Sequence, residues 1–189
     1  MTFRQFLHGL KQQRIAITAP KVLYAFGVVL CITACDPVEP VGENIEFAGR
    51  SLCLDNYQIC VDPIFHATLL GSAGNVSCSA SGCHDTNAGS GGGFKLFTSP
   101  PLNSEEMLSN FFTAQAFANF NTPTDSTLLL EPLTGTFSIS GSHAGGDILF
   151  DEQDPCYLAI LDWIENQVDN ENSSGCGQCV PPTLSACGY

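Results

Sequence analysis

The sequence predicts a small, mainly α domain with long loops, stapled by disulfides. Apolar residues recur at helical spacing behind helix-start residues in three places, near Asp62, Ser104 and Asp154. Ten cysteines make disulfide staples available. With 189 residues, 44% of them hydrophobic, the chain is long and apolar enough for one folded domain plus a targeting segment.

The first helix is predicted within the mostly apolar stretch from Leu52 to Leu70. Val61 and Phe65 fall at helical spacing, and Pro63 suits a first turn that starts near Asp62. We expect this helix to lead through two glycines to the cysteine at position 78.

A second helix is predicted from Ser104 to Asn119, with Asn103 as its cap and Glu106 completing a capping-box pattern. Its aromatic residues offer ring faces either to a flat cofactor or to ordinary core packing. They are Phe111, Phe112 and Phe117.

The last helix is predicted to start at Asp154, because Pro155 is favoured in a first helical turn. Apolar residues then repeat on one face of this helix. They are Tyr157, Ile160, Leu161, Ile164 and Val168.

The first 34 residues predict an export signal rather than part of the fold. A basic region ends at Lys21, and the apolar stretch 22–34 is shorter than the about 20 residues that span a bilayer. The sequence Ile32-Thr33-Ala34-Cys35 resembles a bacterial lipobox, which predicts that Cys35 is lipidated. The alternatives are an ordinary signal peptide cut near Ala34 or a retained anchor helix, and each of them exports the domain.

Residues 35–50 predict an acidic tether, because proline, glycine and acidic residues break any periodic pattern there. The expected location is the periplasmic or cell-surface side of a bacterial membrane, held there by a lipid anchor.

Charge is distributed very unevenly along the chain. All 19 acidic residues follow position 34, whereas only two basic residues do, Arg50 and Lys95. A domain this acidic repels phosphate backbones, which argues against a nucleic-acid partner. It favours encounter with a basic-faced redox partner protein, although acidity that only maintains solubility explains the pattern equally well.

Six cysteines form an even set consistent with three disulfides in an oxidising compartment. They are Cys53, Cys60, Cys156, Cys176, Cys179 and Cys187. Six cysteines allow 15 connectivities, and the sequence does not choose among them. The pair Cys176 and Cys179 has no following histidine, so a disulfide staple is favoured over a second haem site or a zinc site.

The stretch from Cys78 through Cys83 to His84 predicts covalent attachment of haem c. Two thiols can bond the two vinyl groups at one edge of a porphyrin, and the next residue can place an imidazole beneath the iron. Four residues separate the cysteines instead of the usual two, but they are small and flexible. The alternative is a Cys78–Cys83 disulfide beside an incidental histidine.

Five segments occur in an order that resembles planctomycete-type cytochrome c domains and related small monohaem cytochromes. Those domains carry V-x-P-I, G-G-x-x-L, S-x-L-L-L, H-x-G-G and L-x-W-I elements around the haem motif. The matching segments here are 59–65, 91–96, 125–133, 141–146 and 157–164. The resemblance covers roughly residues 56–168 and implies a cytochrome c-like domain over 51–170, followed by a Cys/Gly-rich tail over 171–189.

The resemblance implies one covalently bound haem and electron transfer outside the cytoplasm, with no catalytic residues. His84 is the expected proximal ligand, and His143, in an H-x-G-G element, is the expected distal ligand. Met107, His66 or an open coordination site are the alternatives on the distal face.

Two other classes of function remain open from the sequence. One is a five-coordinate haem enzyme or sensor, such as a peroxidase, although Arg50 is the only arginine after the signal. The other is a haem-free binding module stapled by disulfides on the membrane surface. No hydrolase signature stands out.

Overall fold

A computed structural model describes residues 50–89, 92–135 and 143–189. The predicted signal peptide (1–34), the lipid site Cys35 and the tether up to residue 49 lie outside the described residues. No helix in the described part of the chain is long and apolar enough to cross a bilayer.

The first helical segment runs without a break through α1 (Leu54–Asn56), a π-helical turn (Tyr57–Val61) and α2 (Asp62–His66). It therefore begins before Asp62, where a first turn was expected. Pro63 explains the change of pitch, because proline has no N–H to continue the α-helical ladder. The Asp62 N–H instead reaches back to the carbonyl of Tyr57, five residues earlier.

A β-hairpin, absent from the sequence prediction, follows this segment. Strand β1 (Leu69–Gly71) pairs with β2 (Gly74–Val76) in antiparallel register. Ala67 takes an extended conformation that ends the helix, and Gly74 closes the turn at φ +108°. The hairpin then leads directly into the stretch that begins at Cys78.

Helix α3 (Glu105–Ala116) begins one residue later than the capping pattern predicted. Ser104 is the N-cap, and its hydroxyl accepts the Met107 N–H at 3.1 Å. Asn103 does not cap the helix because it has a left-handed φ of +58°, while its N–H donates to Gln58 Oε1. The N-cap assignment to Asn103 was therefore wrong.

Shorter helical turns and one further helix complete the described fold. A 3₁₀ turn (Pro123–Asp125) leads to α4 (Thr127–Leu130), and a second 3₁₀ turn (Leu184–Ala186) lies near the C-terminus. Helix α5 (Pro155–Glu165) has Asp154 as its N-cap, as predicted.

The core forms where α5 packs on the first helical segment. Trp163 is buried, and its ring lies 5.3 Å from that of Tyr57 and 6.0 Å from that of Phe111 on α3. The Trp163 indole N–H donates to the carbonyl of Cys53 at 2.9 Å, which satisfies its only polar atom. These three aromatic side chains fix the mutual positions of the three longest helical segments among the described residues.

Three disulfides are present, as the even cysteine set predicted. Two of them join the Cys/Gly-rich tail to the first helical segment, Cys53–Cys176 and Cys60–Cys179. The third, Cys156–Cys187, joins α5 to the C-terminal residues. Disulfides persist in oxidising compartments, so they indicate an extracytoplasmic protein.

The prediction of a mainly α fold was wrong. Helical residues make up 35% of the described chain and strand or bridge residues 10%, so loops dominate. Between the helices the chain forms isolated bridges and turns instead of further helix. Two parallel bridges are examples, one between Asp85 and Leu96 and one between Leu133 and Leu149. The disulfides join the C-terminal tail to the first helical segment and to α5.

Replacing Asp154 with alanine should lower the free energy of unfolding by about 2 kcal/mol or more. Its Oδ1 accepts the Cys156 N–H at 2.8 Å, and its Oδ2 accepts the Gly188 N–H at 2.7 Å. Ser104→Ala removes a single capping bond and should cost about 1 kcal/mol. Urea denaturation with the disulfides intact measures both changes. Equal losses would show that the bond to Gly188 contributes nothing.

Candidate functional site

A cavity of about 510 Å³ lies where the Cys78–His84 loop, the end of α3, α4 and the His143 turn meet. Its walls are largely apolar and include Phe65, Phe94, Phe117, Leu128 and Ile148. A volume of this size lies within the range of about 300–1,000 Å³ typical of pockets that hold cofactors. The polar groups that line it include the four residues singled out by the sequence motifs, which are Cys78, Cys83, His84 and His143.

The imidazole rings of His84 and His143 both line this cavity and lie close to each other. Their centres are 6.1 Å apart, and their planes are inclined by only 15°. Two imidazoles that bind one metal from opposite sides at about 2 Å have ring centres about 6 Å apart. The spacing of the ring centres and their near-parallel planes are therefore compatible with both rings binding one metal ion.

Backbone carbonyl groups fix the tautomer of both rings. His84 Nδ1 donates to the Phe94 carbonyl at 2.8 Å, and His143 Nδ1 donates to the Gly146 carbonyl at 2.8 Å. A carbonyl oxygen only accepts hydrogen bonds, so each Nδ1 must carry the proton. The lone pair of each ring is then on Nε2, the arrangement that metal-binding histidines usually show.

The four residues between the cysteines fold into tight turns. The Cys83 N–H donates to the Ala80 carbonyl at 2.9 Å, and the His84 N–H returns to the Cys78 carbonyl at 3.0 Å. Gly82 permits this path at φ +90°. The loop therefore brings both cysteines and His84 to the cavity despite the wide spacing of the motif.

The residues after His84 are tied to the strand-like segment that carries Phe94. The Leu96 N–H donates to the His84 carbonyl at 2.7 Å, and the Thr86 N–H donates to the Leu96 carbonyl at 3.1 Å. These bonds place the Phe94 ring edge-on to the His84 ring, with centres 4.8 Å apart. His84 is thus held by both its backbone and its ring contacts.

Cys78 and Cys83 are both free thiols and both half-buried. Burial, and to a lesser degree the nearby Cys83, raise the pKa of the Cys78 thiol to about 12. Cys78 is therefore protonated at neutral pH. The alternative of a Cys78–Cys83 disulfide is not the state of this structure.

The two other distal-ligand candidates lie away from the cavity lining. Met107 is 2% exposed and belongs to the hydrophobic core. His66 Nδ1 lies 2.7 Å from Ser79 Oγ, and its Nε2 lies 3.2 Å from Asp62 Oδ2. The structure brings His143 to His84 and does not bring Met107 or His66 there.

The aromatic residues of α3 separate into three environments. Only Phe117, at its C-cap, lines the cavity; Phe111 is in the core and Phe112 is 46% exposed. The expectation that all three offer faces to a cofactor was wrong, because successive helix positions point in different directions. Phe65, missed as a site residue, does line the cavity.

One acidic residue lines the cavity and another lies next to His84 in the sequence. Glu131, which the sequence patterns did not single out, lines the cavity, and Asp85 directly follows His84. Hydrogen bonds from the backbone N–H groups of Ala88 and Asn87 lower the pKa of Asp85, so it stays ionised. Lys95, beside Phe94, donates to the Gly89 carbonyl.

No protein family, characterised protein or solved structure matches this chain. The site is therefore characterised by its geometry alone. Two near-parallel imidazoles and two free thiols line one largely apolar cavity.

Alkylation of Cys78 should be roughly a thousandfold slower in the folded haem-free chain than in the same chain unfolded in denaturant. Only the thiolate reacts, and burial raises its pKa from 9.0 to about 12. The folded-state rate should rise about tenfold for each pH unit between 7 and 10. Peptide mapping by mass spectrometry after iodoacetamide treatment measures it. Equal rates in the two states would contradict the buried position.

Proposed function

We propose that this protein is an exported c-type cytochrome that transfers electrons through one covalently bound haem. Cys78 and Cys83 form the thioether bonds, His84 is the proximal ligand and His143 the distal ligand. The observation that carries the proposal is the pair of near-parallel imidazoles, with ring centres 6.1 Å apart, beside two unpaired thiols.

The residues present fit such a group. The cavity is lined by aromatic and aliphatic side chains that suit a flat apolar macrocycle, and both thiols lie at its wall. Both imidazoles present the lone pair of Nε2, because each Nδ1 is committed to a carbonyl. All six other cysteines in the described part of the chain are in disulfides, which leaves this pair for attachment.

Electron transfer follows from occupation of both axial positions by the protein. A haem held here supplies a one-electron iron(III)/iron(II) couple. His143 on the distal side leaves no coordination position for a substrate, which disfavours the five-coordinate enzyme or sensor. Two imidazole ligands favour a lower reduction potential than a His/Met pair. The acidic side chains Glu131 and Asp85 also lower the reduction potential, because negative charge stabilises the more positive oxidised iron.

Export through residues 1–34 and lipid attachment at Cys35 complete the proposal. The disulfides support an oxidising compartment, and the bacterial periplasm or cell surface is the proposed one. The excess of acidic residues after position 34 favours a redox partner with a basic docking face.

Absorption spectra of the full-length chain, purified from a host that matures c-type cytochromes, test the proposal. We expect a c-type pyridine haemochrome with about one haem per chain, and low-spin bands in both redox states. Cys78→Ser and Cys83→Ser should each leave one thioether, and the double variant should hold no covalent haem. His143→Ala should become high-spin when reduced and bind carbon monoxide.

Each alternative predicts a different result. A parent protein that is high-spin when reduced would support the five-coordinate enzyme or sensor. Absence of haem despite competent maturation, with Cys78 and Cys83 joined to each other, would support the haem-free binding module and overturn the proposal.

Cys35→Ser should move the protein from the membrane fraction to the soluble fraction and abolish incorporation of radiolabelled palmitate. Cys31→Ser is the matched control, because it removes a cysteine four residues earlier in the same apolar stretch. It should leave both properties unchanged. Equal palmitate labelling of the two variants would show that the lipid site is not Cys35.

A further inference from the structure

We infer that Ser72, in the turn of the β-hairpin, is a positioning residue for His143. The inference rests on the proposed function, since it concerns how the sixth ligand of the haem is held in place. It assigns to the hairpin a role that the sequence motifs do not suggest.

The orientation of His143 depends on a tight turn that ends at Gly146. The Gly146 N–H donates to the His143 carbonyl at 2.9 Å, and the Gly146 carbonyl accepts from His143 Nδ1 at 2.8 Å. Gly145 lies flat against the ring, where an added Cβ would be 3.3 Å from Cε1. Any displacement of Gly146 therefore displaces the imidazole as well.

Ser72 holds the residue that follows this turn. The Ser72 N–H donates to the Asp147 carbonyl at 2.8 Å, and the Asp147 N–H donates to Ser72 Oγ at 2.8 Å. One residue thus makes both hydrogen bonds to the backbone of Asp147. Of the two, only the second depends on the side chain of Ser72.

The two turns approach too closely for side chains between them. A Cβ on Gly146 would lie 2.9 Å from Ser72 Oγ and 3.0 Å from Ala73 Cβ, and Gly146 has a φ of +76°. A Cβ on Gly71 would lie 2.7 Å from the Asp147 carbonyl oxygen. Glycine at both positions allows the hairpin to pack closely against the turn that carries His143.

The same hairpin leads into the haem-attachment loop. Strand β2 ends at Val76, and Ser77 Oγ donates to the Phe65 carbonyl at 3.1 Å just before Cys78. The loop that carries His84 and the turn that carries His143 both contact this hairpin. The hairpin therefore helps to set the distance between His84 and His143.

Loss of the Ser72 hydroxyl should loosen His143 without unfolding the chain. The Ile148 N–H still donates to the Pro132 carbonyl at 2.8 Å and holds the far end of the turn. In Ser72→Ala the Asp147 N–H loses its acceptor, so His143 should leave the iron more often. We expect reduced protein to bind carbon monoxide roughly five- to tenfold faster than the parent.

The experiment compares the holoprotein with three variants. Ser72→Ala removes the hydroxyl, Ser72→Thr keeps it, and Ser109→Ala removes an exposed hydroxyl on α3 as the matched control. Stopped-flow mixing of the reduced protein with carbon monoxide gives the binding rate. Hydrogen–deuterium exchange at the Asp147 amide, on the same preparations, reports the hydrogen bond from Asp147 to Ser72 without depending on haem.

Faster carbon monoxide binding and faster Asp147 exchange in Ser72→Ala alone, with Ser72→Thr behaving as the parent, support the inference. Unchanged carbon monoxide binding in Ser72→Ala overturns it, whether or not exchange changes, and so does an equal increase in Ser109→Ala.

Failure of the proposed function gives a different result. A parent with no c-type haem overturns the electron-transfer proposal and the positioning role of Ser72 together, and Asp147 exchange then shows whether the hydrogen bond from Asp147 to Ser72 is present. A low-spin parent whose His143→Ala variant binds carbon monoxide no faster overturns His143 as ligand.

Discussion

A buried carboxylate, Asp62, joins the elements on which the site is built. It is 4% exposed, and a charge so far from water must be satisfied by hydrogen bonds. Its Oδ1 accepts the Tyr57 hydroxyl at 3.0 Å and Asn110 Nδ2 of α3 at 3.2 Å. Burial first, and then Asp62, raise the pKa of Tyr57, which keeps its phenol protonated and donating.

The other oxygen of Asp62 faces His66, whose ring reaches Ser79 beside the first cysteine of the motif. One carboxylate thereby connects the first helical segment, α3 and the start of the Cys78–His84 loop. The Ser79 N–H also donates to the Phe65 carbonyl at 3.0 Å, so the loop is fixed by backbone as well as side chain. Cys78 therefore lies next to a residue that two hydrogen bonds to α2 hold in place.

The sequence motifs selected residues that share one cavity, whereas much of the architecture was not predicted. Cys78, Cys83, His84 and His143 were chosen from motifs, and they do line one cavity. Asp154 was recognised as a cap because a helix-start residue before proline is a local signal. Asn103 was predicted as the cap of α3 in place of Ser104, because both residue types cap helices well. The actual choice depends on a contact between Asn103 and Gln58, which is distant in sequence. The hairpin was missed because three-residue strands carry too little periodicity to distinguish them from a helix.

Disulfide connectivity and the contact between Ser72 and Asp147 depend on chain segments far apart in sequence, which no local pattern encodes.

The disulfide pattern has a consequence for how the protein is made. Cys53 and Cys60 are paired with partners 123 and 119 residues further along the chain, not with each other. A chain that enters an oxidising compartment from its N-terminus exposes Cys53, Cys60 and the two cysteines of the motif long before Cys176 arrives. Oxidation in order of arrival would join the wrong sulfurs. Correct maturation therefore calls for a disulfide isomerase or, under the proposed function, for haem attachment before the tail is oxidised.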